Sequence, residues 1–259
     1  RISSLDRYRL VSNSDAHSAE NLGREANLFA GEISYRGILD ALREPEKASP
    51  TKFLGTMEFY PEEGKYHMDG HRDCKVLFTP EETRAHNGIC PVCGKPLTVG
   101  VLNRVMELAD RKQPEYPDRT EFTSLVPLPE VLGEILGVGP KSRKVSDMYA
   151  KVLERFGSEL GILRDLPVDD LSRFLPPLGE AVDRMRTGRV ILHGGFDGEY
   201  GVVRMFDEAE RREIQRGAGV PAARGGTVAG LSLLPGAPEP KKRGRTAKKS
   251  APDGDSQES

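Results

Sequence analysis

The longest regular spacing of apolar positions runs through Val145, Met148, Tyr149, Val152, Leu153 and Phe156, in steps that keep one face of a helix apolar over three turns. Shorter stretches of the same period predict helices over 130–136 and 178–185, and over 33–42, where Ile38, Leu39 and Leu42 share a face. Val101, Val105, Leu108 and Ala109 predict a further helix, and Leu22 to Phe29 reads as another. Extended patterns fall at Tyr8–Ser12, Phe53–Phe59 and Val202–Phe206. The last of these is entered through Phe196-Asp197-Gly198-Glu199-Tyr200-Gly201, whose Asp-Gly step favours a tight turn. Pro114 and Pro117 mark a boundary, and the sequence beyond it is mainly helical. The pattern as a whole predicts an α+β multidomain chain without internal repeats.

Composition changes this picture at the two ends. From about Gly217 the chain is rich in Gly, Ala, Pro, Ser and Lys with almost no aromatic residue, so 217–259 is expected to be a disordered basic tail. Lys241, Lys242, Arg243, Arg245, Lys248 and Lys249 crowd it. The other end opens Arg1-Ile2 without a methionine, already in a strand-like pattern, and is read as following an upstream portion. Charged residues make up 30% of the 259 residues and no run approaches the roughly 18 apolar residues of a membrane span, so a cytoplasmic protein without membrane contact is expected.

Three cysteines are too few for a disulfide framework, and two of them stand three apart. His71-x2-Cys74, fifteen residues, then Cys90-Pro91-Val92-Cys93-Gly94 present two close pairs on separate turns, which suits a tetrahedral structural zinc. Gly94 permits the tight turn of a zinc knuckle, where backbone N–H groups approach sulfur. The alternative is a chance Cys-x-x-Cys with a stray histidine, and His67 and His86 compete with His71 for the fourth position. Four filled positions leave no site open for substrate.

Tyr8–Ser12 is followed at once by Asn13-Ser14-Asp15-Ala16-His17, and a strand ending in polar residues is where an α/β barrel carries its chemistry. Asp-x-His on an extended chain aims both side chains at one point and suits Zn, Mn or Fe, ions that activate water and clamp phosphate. A capping Asp beside a surface His accounts for the pair equally well.

Ser14-Asp15-Ala16-His17-Ser18 resembles the last metal-binding motif of the PHP (polymerase and histidinol phosphatase) superfamily. With Asn21-Leu22-Gly23-Arg24-Glu25-Ala26-Asn27, Glu62-Glu63-Gly64-Lys65-Tyr66-His67 and the knuckle through Leu97, the chain resembles the endonuclease Q family over about residues 8 to 206. The resemblance implies a metal-dependent DNA repair endonuclease that nicks 5′ of deaminated bases such as uracil or hypoxanthine. It makes Asp15 and His17 catalytic metal ligands, for a divalent ion such as Zn, Mg or Mn. It implies a C-terminal part of a PHP-like α/β barrel over 1–60, a zinc-binding module over 61–112 and a helical DNA-binding domain over 113–216. An early His-x-His of the PHP pattern is absent from this chain, which implies that the parent protein is the enzyme and this portion alone is inactive. Association with a helicase or a replication clamp is a further implication.

Val131 to Ser142 reads as a helix-hairpin-helix joined by Gly137-Val138-Gly139, with N–H groups opening the next helix toward a phosphate. Gly137, Gly139, Lys141, Ser142, Arg143 and Lys144 are the candidate DNA contacts, of a kind that fits any sequence. A glycine C-cap followed by a solvated first turn is the rival reading. Tyr149 and Phe156 are read as core rather than base-stacking residues, and His193-Gly194-Gly195 as a plain loop, with a close approach to a backbone as the alternative. A non-catalytic zinc-containing DNA-binding or helicase-associated module, and a PHP phosphoesterase for small molecules, are the functional alternatives.

Overall fold

The computed structural model describes residues 1–43, 50–113 and 121–217. Strand β1 (Ala26–Gly31) runs antiparallel to β2 (Thr51–Glu58), and β2 runs parallel to β5 (Glu121–Ser124), in sheet order β1-β2-β5. Helix α1 (Tyr35–Arg43) lies against β2 and buries Gly37 and Ala41, where the period of 33–42 predicts a helix. Gly55 holds φ at +144°, and a Cβ there would sit 2.0 Å from the Glu121 carbonyl oxygen. Glycine therefore permits β2 and β5 to approach.

Two expectations for this end of the chain are corrected. Leu22–Phe29 is not a helix: Gly23 is left-handed at φ 72°, and 26–31 pairs with β2, Phe29 meeting Phe53 at 5.3 Å between ring centroids. Cross-strand pairing outweighs the helical spacing of the apolar residues. Tyr8–Ser12 is not a strand, because it has no backbone ladder among the described residues. The Asn27 side chain on β1 holds it instead, accepting from the Ser12 N–H at 3.0 Å and donating to the Ser12 carbonyl at 2.8 Å. The described strands 26–31, 51–58 and 121–124 form one three-stranded sheet, which β5 joins from beyond residue 113.

The main core lies under the helices that follow. Leu125 and Val126 lead from β5 into α4 (Leu128–Leu136), which buries Leu128, Val131, Leu132, Gly133 and Ile135. Around it pack α5 (Arg143–Phe156), α6 (Glu159–Arg164), α7 (Val168–Phe174), α8 (Pro176–Arg186) and α9 (Glu208–Gln215). The predicted helices over 130–136, 145–156 and 178–185 fall on α4, α5 and α8. Tyr149 and Phe156 pack against this core, and the Tyr149 hydroxyl donates to Glu159 at 2.8 Å. Burial, and then the Glu159 carboxylate, push that phenol up to about 12.

Buried Arg184 ties the far end together. It pairs with Glu180 and Glu210, donates to the Met205 carbonyl and lies 4.8 Å over the Phe206 ring. Glu134 on α4 completes the fastening, its two oxygens accepting from the N–H groups of Met205 and Phe206 at 2.9 and 3.0 Å.

Between sheet and helices, β3 (Asp69–His71) and β4 (Val76–Phe78) form a two-stranded ribbon followed by α2 (Pro80–Ala85) and α3 (Val101–Leu108). A capping box between Thr79 and Glu82 starts α2. Buried Asp69 starts α3, accepting from the Gly100 N–H at 2.6 Å and from the Asn103 side-chain amide. The ribbon's own core is small: buried Val76, Cys90 and Leu97, with Cys74 and Phe78 against them. Residues 44–49, 114–120 and the tail from 218, including its lysine cluster, lie outside the described residues.

Candidate functional site

Each ligand pair of the Cys/His module sits on a tight turn of its own. His71 ends β3, Cys74 closes a single helical turn over Arg72–Cys74, and Lys75 reverses the chain at φ 54°. In the second turn the Gly94 N–H donates to the Cys90 carbonyl at 2.9 Å and the Cys90 N–H donates to the Lys95 carbonyl at 2.8 Å. Gly94 is left-handed at φ 74°, the freedom the knuckle requires. The ligand atoms of His71, Cys74, Cys90 and Cys93 lie within 4.8 Å of one another. His71, and neither His67 nor His86, meets the three sulfurs. His86 turns to the Glu82 carbonyl at 2.9 Å and to the Phe78 ring.

This donor set fits a metal. Zinc–nitrogen and zinc–sulfur distances of about 2.0–2.3 Å at a tetrahedral angle put nitrogen and sulfur about 3.6 Å apart. The His71 Nδ1 to Cys93 Sγ distance is 3.6 Å. Burial pushes the Cys74 thiol up to about 12, with the Cys93 and Cys90 sulfurs adding to it. Cys90 is almost wholly buried, and burial raises its thiol, yet the Cys93 and Val92 backbone N–H groups aimed at its sulfur hold it below the usual thiol value. The metal-free cluster thus favours a thiolate at one position and opposes it at another, and a cation that attracts all three sulfurs removes the conflict.

A clamp that sequence reasoning missed holds this module from the C-terminal side. Strands β6 (Ile191–His193) and β7 (Val202–Arg204) form a hairpin. Its Gly195 carbonyl accepts from the Met68 N–H at 2.9 Å, and its Gly198 N–H donates to the Lys65 carbonyl at 2.9 Å. Asp197 accepts from the Arg72 N–H at 2.7 Å and from the Thr98 hydroxyl at 2.6 Å. Those two bonds, the Arg72 N–H first, hold its carboxyl below the usual carboxylate range despite some burial. The predicted Asp-Gly turn is present, with Asp197 and Gly198 at φ 44° and 87°. The plain-loop reading of 193–195 is corrected: a Cβ on Gly195 would lie 2.5 Å from the Gly201 nitrogen and the Gly64 oxygen. The glycine run was the legible signal of this close approach.

Asp15 and His17 are exposed, and Asp15 is left-handed at φ 47°, so the extended-strand geometry expected of the pair is replaced by a turn. His17 Nδ1 lies 2.7 Å from the Asp15 carbonyl oxygen. A carbonyl only accepts, so Nδ1 is the donor in this bond and Nε2 is the ring nitrogen left for another partner. Among the described residues no third imidazole, thiol or carboxylate joins them in a cluster that can hold a metal.

The Gly-Val-Gly segment joins α4 to α5 as a hairpin. Gly137 caps α4 at φ 67°, while a Cβ on Gly139 would meet nothing within 4 Å. Only the first glycine is required by the turn itself; the second leaves an open face. Ser142 caps α5, its oxygen accepting from the Val145 N–H at 3.4 Å, and its own N–H donates to the Gly139 carbonyl. The N–H groups of Arg143 and Lys144 find no acceptor among the described residues. Lys141, Arg143 and Lys144 are exposed, and Arg143 reaches Asp147 only at 3.9 Å.

Comparison with known proteins gives this arrangement a lineage. The fold matches that of the lesion-specific endonuclease PfuEndoQ from Pyrococcus furiosus with a TM-score of 0.72 and 30% identity, over 82% of this chain and 52% of that one. Over most of its length this chain is similar in fold to endonuclease Q. A structure of endonuclease Q in complex with a 27-mer duplex substrate carrying an abasic lesion matches with a TM-score of 0.66 and 30% identity, over 80% of this chain and 52% of that one. Residues 127–189, the span from α4 to α8, match the family model of the MJ0043 C-terminal domain. The uncharacterized protein MJ0043 of Methanocaldococcus jannaschii is 33% identical over 74% of this chain and 25% of its own length. The uncharacterized protein YqxK of Bacillus subtilis is 31% identical over 78% of this chain and 48% of its own length. The chain thus spans from a quarter to about half the length of these proteins. Among the described residues no helix is long and apolar enough to cross a membrane.

Proposed function

We propose that this chain is the zinc-stabilised, DNA-gripping part of a metal-dependent repair endonuclease that nicks duplex DNA 5′ of a deaminated base such as uracil or hypoxanthine. The observation that carries the proposal is the match in fold to a lesion-specific endonuclease over 82% of the chain. Zinc is held by His71, Cys74, Cys90 and Cys93 and has a structural role, because four protein ligands fill a tetrahedral ion. Asp15 and His17 contribute the Asp carboxylate and the His17 Nε2 to the catalytic metal site, with the Asp15 carbonyl fixing the tautomer. A divalent ion such as Zn, Mg or Mn supplies the activated water there. The hairpin Gly137–Lys144 grips backbone phosphates and leaves base recognition to the catalytic pocket, where a mispaired base is cheapest to extrude.

A second reading, a DNA-binding module without a catalytic centre of its own, is favoured by the lack of a third ligand beside Asp15 and His17 among the described residues. A nicking assay on duplexes carrying uracil, hypoxanthine or normal bases, run on this chain and on any longer polypeptide that contains it, separates the two. Lesion-dependent nicking in the longer polypeptide supports the first reading. Lesion-independent binding without nicking in either supports the second.

The grip has its own test. Changing Lys141 and Lys144 together to Ala is expected to weaken binding to every duplex alike. The slope of log affinity against log salt should fall by roughly one unit per lost phosphate contact. If the hairpin is only helix punctuation, a salt titration of the double variant superimposes on the wild type.

A further inference from the structure

One wall of the phosphate-gripping hairpin also closes a cleft of about 410 Å³ that the sequence does not announce. Its other walls come from α4, β7 and α9, and its polar lining is Glu130, Glu134, Arg204, Arg211 and Gln215, with Gly139 at the hairpin side. Two arginines from separate elements meet in this space. Several other arginines of the helical part are ion-paired: Arg173 with Asp170, Arg184 with Glu180 and Glu210, Arg189 with Asp183, Arg212 with Glu208. Arg204 and Arg211 have no ion pair among the described residues. The Nε of Arg211 is buried and meets no hydrogen-bond acceptor.

A buried guanidinium nitrogen without an acceptor is a cost that native structures rarely carry without a reason. The neighbouring carboxylates do not supply the acceptor. Each oxygen of Glu134 is turned to a backbone N–H, of Met205 and of Phe206, and burial raises the Glu134 carboxyl while those two N–H groups and then Arg204 and Arg211 oppose the rise; burial raises Glu130 as well. Arg24 also faces Glu130. What remains is a buried Arg211 Nε without an acceptor and a second guanidinium, Arg204, in the same cleft, both within electrostatic reach of Glu134, next to the open glycine face and the free N–H groups that begin α5. A tetrahedral oxyanion, with several acceptor oxygens, matches that donor set better than a carboxylate does.

We infer that this cleft is a second phosphate site, in which Arg204 and Arg211 hold a DNA backbone phosphate next to those gripped by the hairpin. This rests on the reading of the chain as a DNA-gripping part. Contacts on two elements, rather than on one hairpin, fix the direction in which the duplex leaves the helical domain. Position and orientation, not sequence, are what such contacts supply.

The test is fluorescence anisotropy with a labelled duplex across a salt series, using wild type, Arg204→Gln, Arg211→Gln, Arg211→Lys and the Lys141/Lys144 double Ala variant. Each Arg→Gln change is expected to weaken duplex binding about tenfold and to lower the salt slope by about one, with melting temperature unchanged. Arg211→Lys keeps the charge without the fork, so it should retain the slope with intermediate affinity. If an Arg→Gln variant melts early, Arg211→Lys carries the comparison, and wild-type affinity in it overturns the site. Wild-type affinity and slope in both Arg→Gln variants, with the lysine variant weakened, overturn the cleft and leave the proposed grip standing. A wild-type chain that does not bind duplex overturns the proposed grip itself. Inorganic phosphate, titrated while amide signals of Gly137–Lys144 are followed by NMR, separates the sources. Shifts that saturate equally with and without Arg204 and Arg211 are adventitious and count against the cleft. Shifts lost in the Arg→Gln variants while their duplex affinity is unchanged identify a site for free phosphate and overturn the DNA assignment.

Discussion

Replacing Cys93 by Ser is expected to release about one metal ion per chain and to destabilise the Cys/His module by several kcal/mol, because a structural zinc supplies folding free energy directly. The expectation rests on how little else holds the module together. Its own core is Val76, Cys90 and Leu97 with two partly buried neighbours, far below what a stable unit of its size needs. Cys93 is exposed, so the serine removes a ligand and leaves no cavity behind. Cys90 is buried and receives two backbone N–H groups, so Cys90→Ser loses the ligand and repacks the interior as well, and should cost more. Elemental analysis of purified wild type and variants, with thermal melting before and after a chelator, checks both effects. Wild-type protein that carries no zinc, or melts identically with chelator present, ends the assignment. The C-terminal hairpin offers a control: it clamps the module through Asp197 and Gly195 without touching the ligands. Asp197→Ala should therefore lower the melting temperature while the metal content stays at wild type.

What was legible in the sequence divides along how far apart the interacting residues lie. His71-x2-Cys74 and Cys90-x2-Cys93 each fit one turn, and their chemistry narrows the partners to one another, so two local signals sufficed to assemble a four-ligand site. Helices α4, α5 and α8 were readable because an amphipathic period is local and faces a single core. Strand β1 was misread because Leu22, Ala26 and Phe29 carry helical spacing, while the pairing that decides the segment comes from residues 51–57. Tyr8–Ser12 failed in the reverse sense: the pattern is extended, but a strand also needs a backbone partner. The Arg204–Arg211 cleft was invisible for a third reason. It joins elements distant in sequence, and no linear spacing records that two arginines share one space.

Asp15→Asn and His17→Ala are each expected to reduce nicking by two orders of magnitude or more, in whichever polypeptide shows it, while duplex binding changes less than about twofold. The two substitutions are suited to the question because neither should disturb the fold. Asp15 sits at φ 47°, and asparagine is among the few residues that adopt that region readily, so the change removes charge and little else. His17 is exposed and bonds only the carbonyl two residues before it, so its truncation opens no cavity. Loss of activity with an unchanged melting curve then reports the site rather than the scaffold. The division between chemistry and grip follows from placement: Asp15 and His17 follow the segment that Asn27 of β1 holds through Ser12, whereas Lys141 and Lys144 flank the Ser142 cap of α5, and among the described residues the two sets share no hydrogen bond or ion pair. The salt slope of duplex binding should accordingly match wild type in Asp15→Asn, apart from any relief of repulsion between the removed carboxylate and the phosphates. Such relief would strengthen binding slightly at low salt and vanish once the Debye length falls to a few ångströms. His17→Ala lacks the imidazole whose Nδ1 faces the Asp15 carbonyl. Raising the metal concentration should therefore rescue part of its activity if His17 supplies affinity alone, and none if Nε2 also orients the reacting water. Wild-type nicking by either variant removes that residue from the catalytic site, and a parallel loss of duplex binding would mean that chemistry and grip are not separate in this protein.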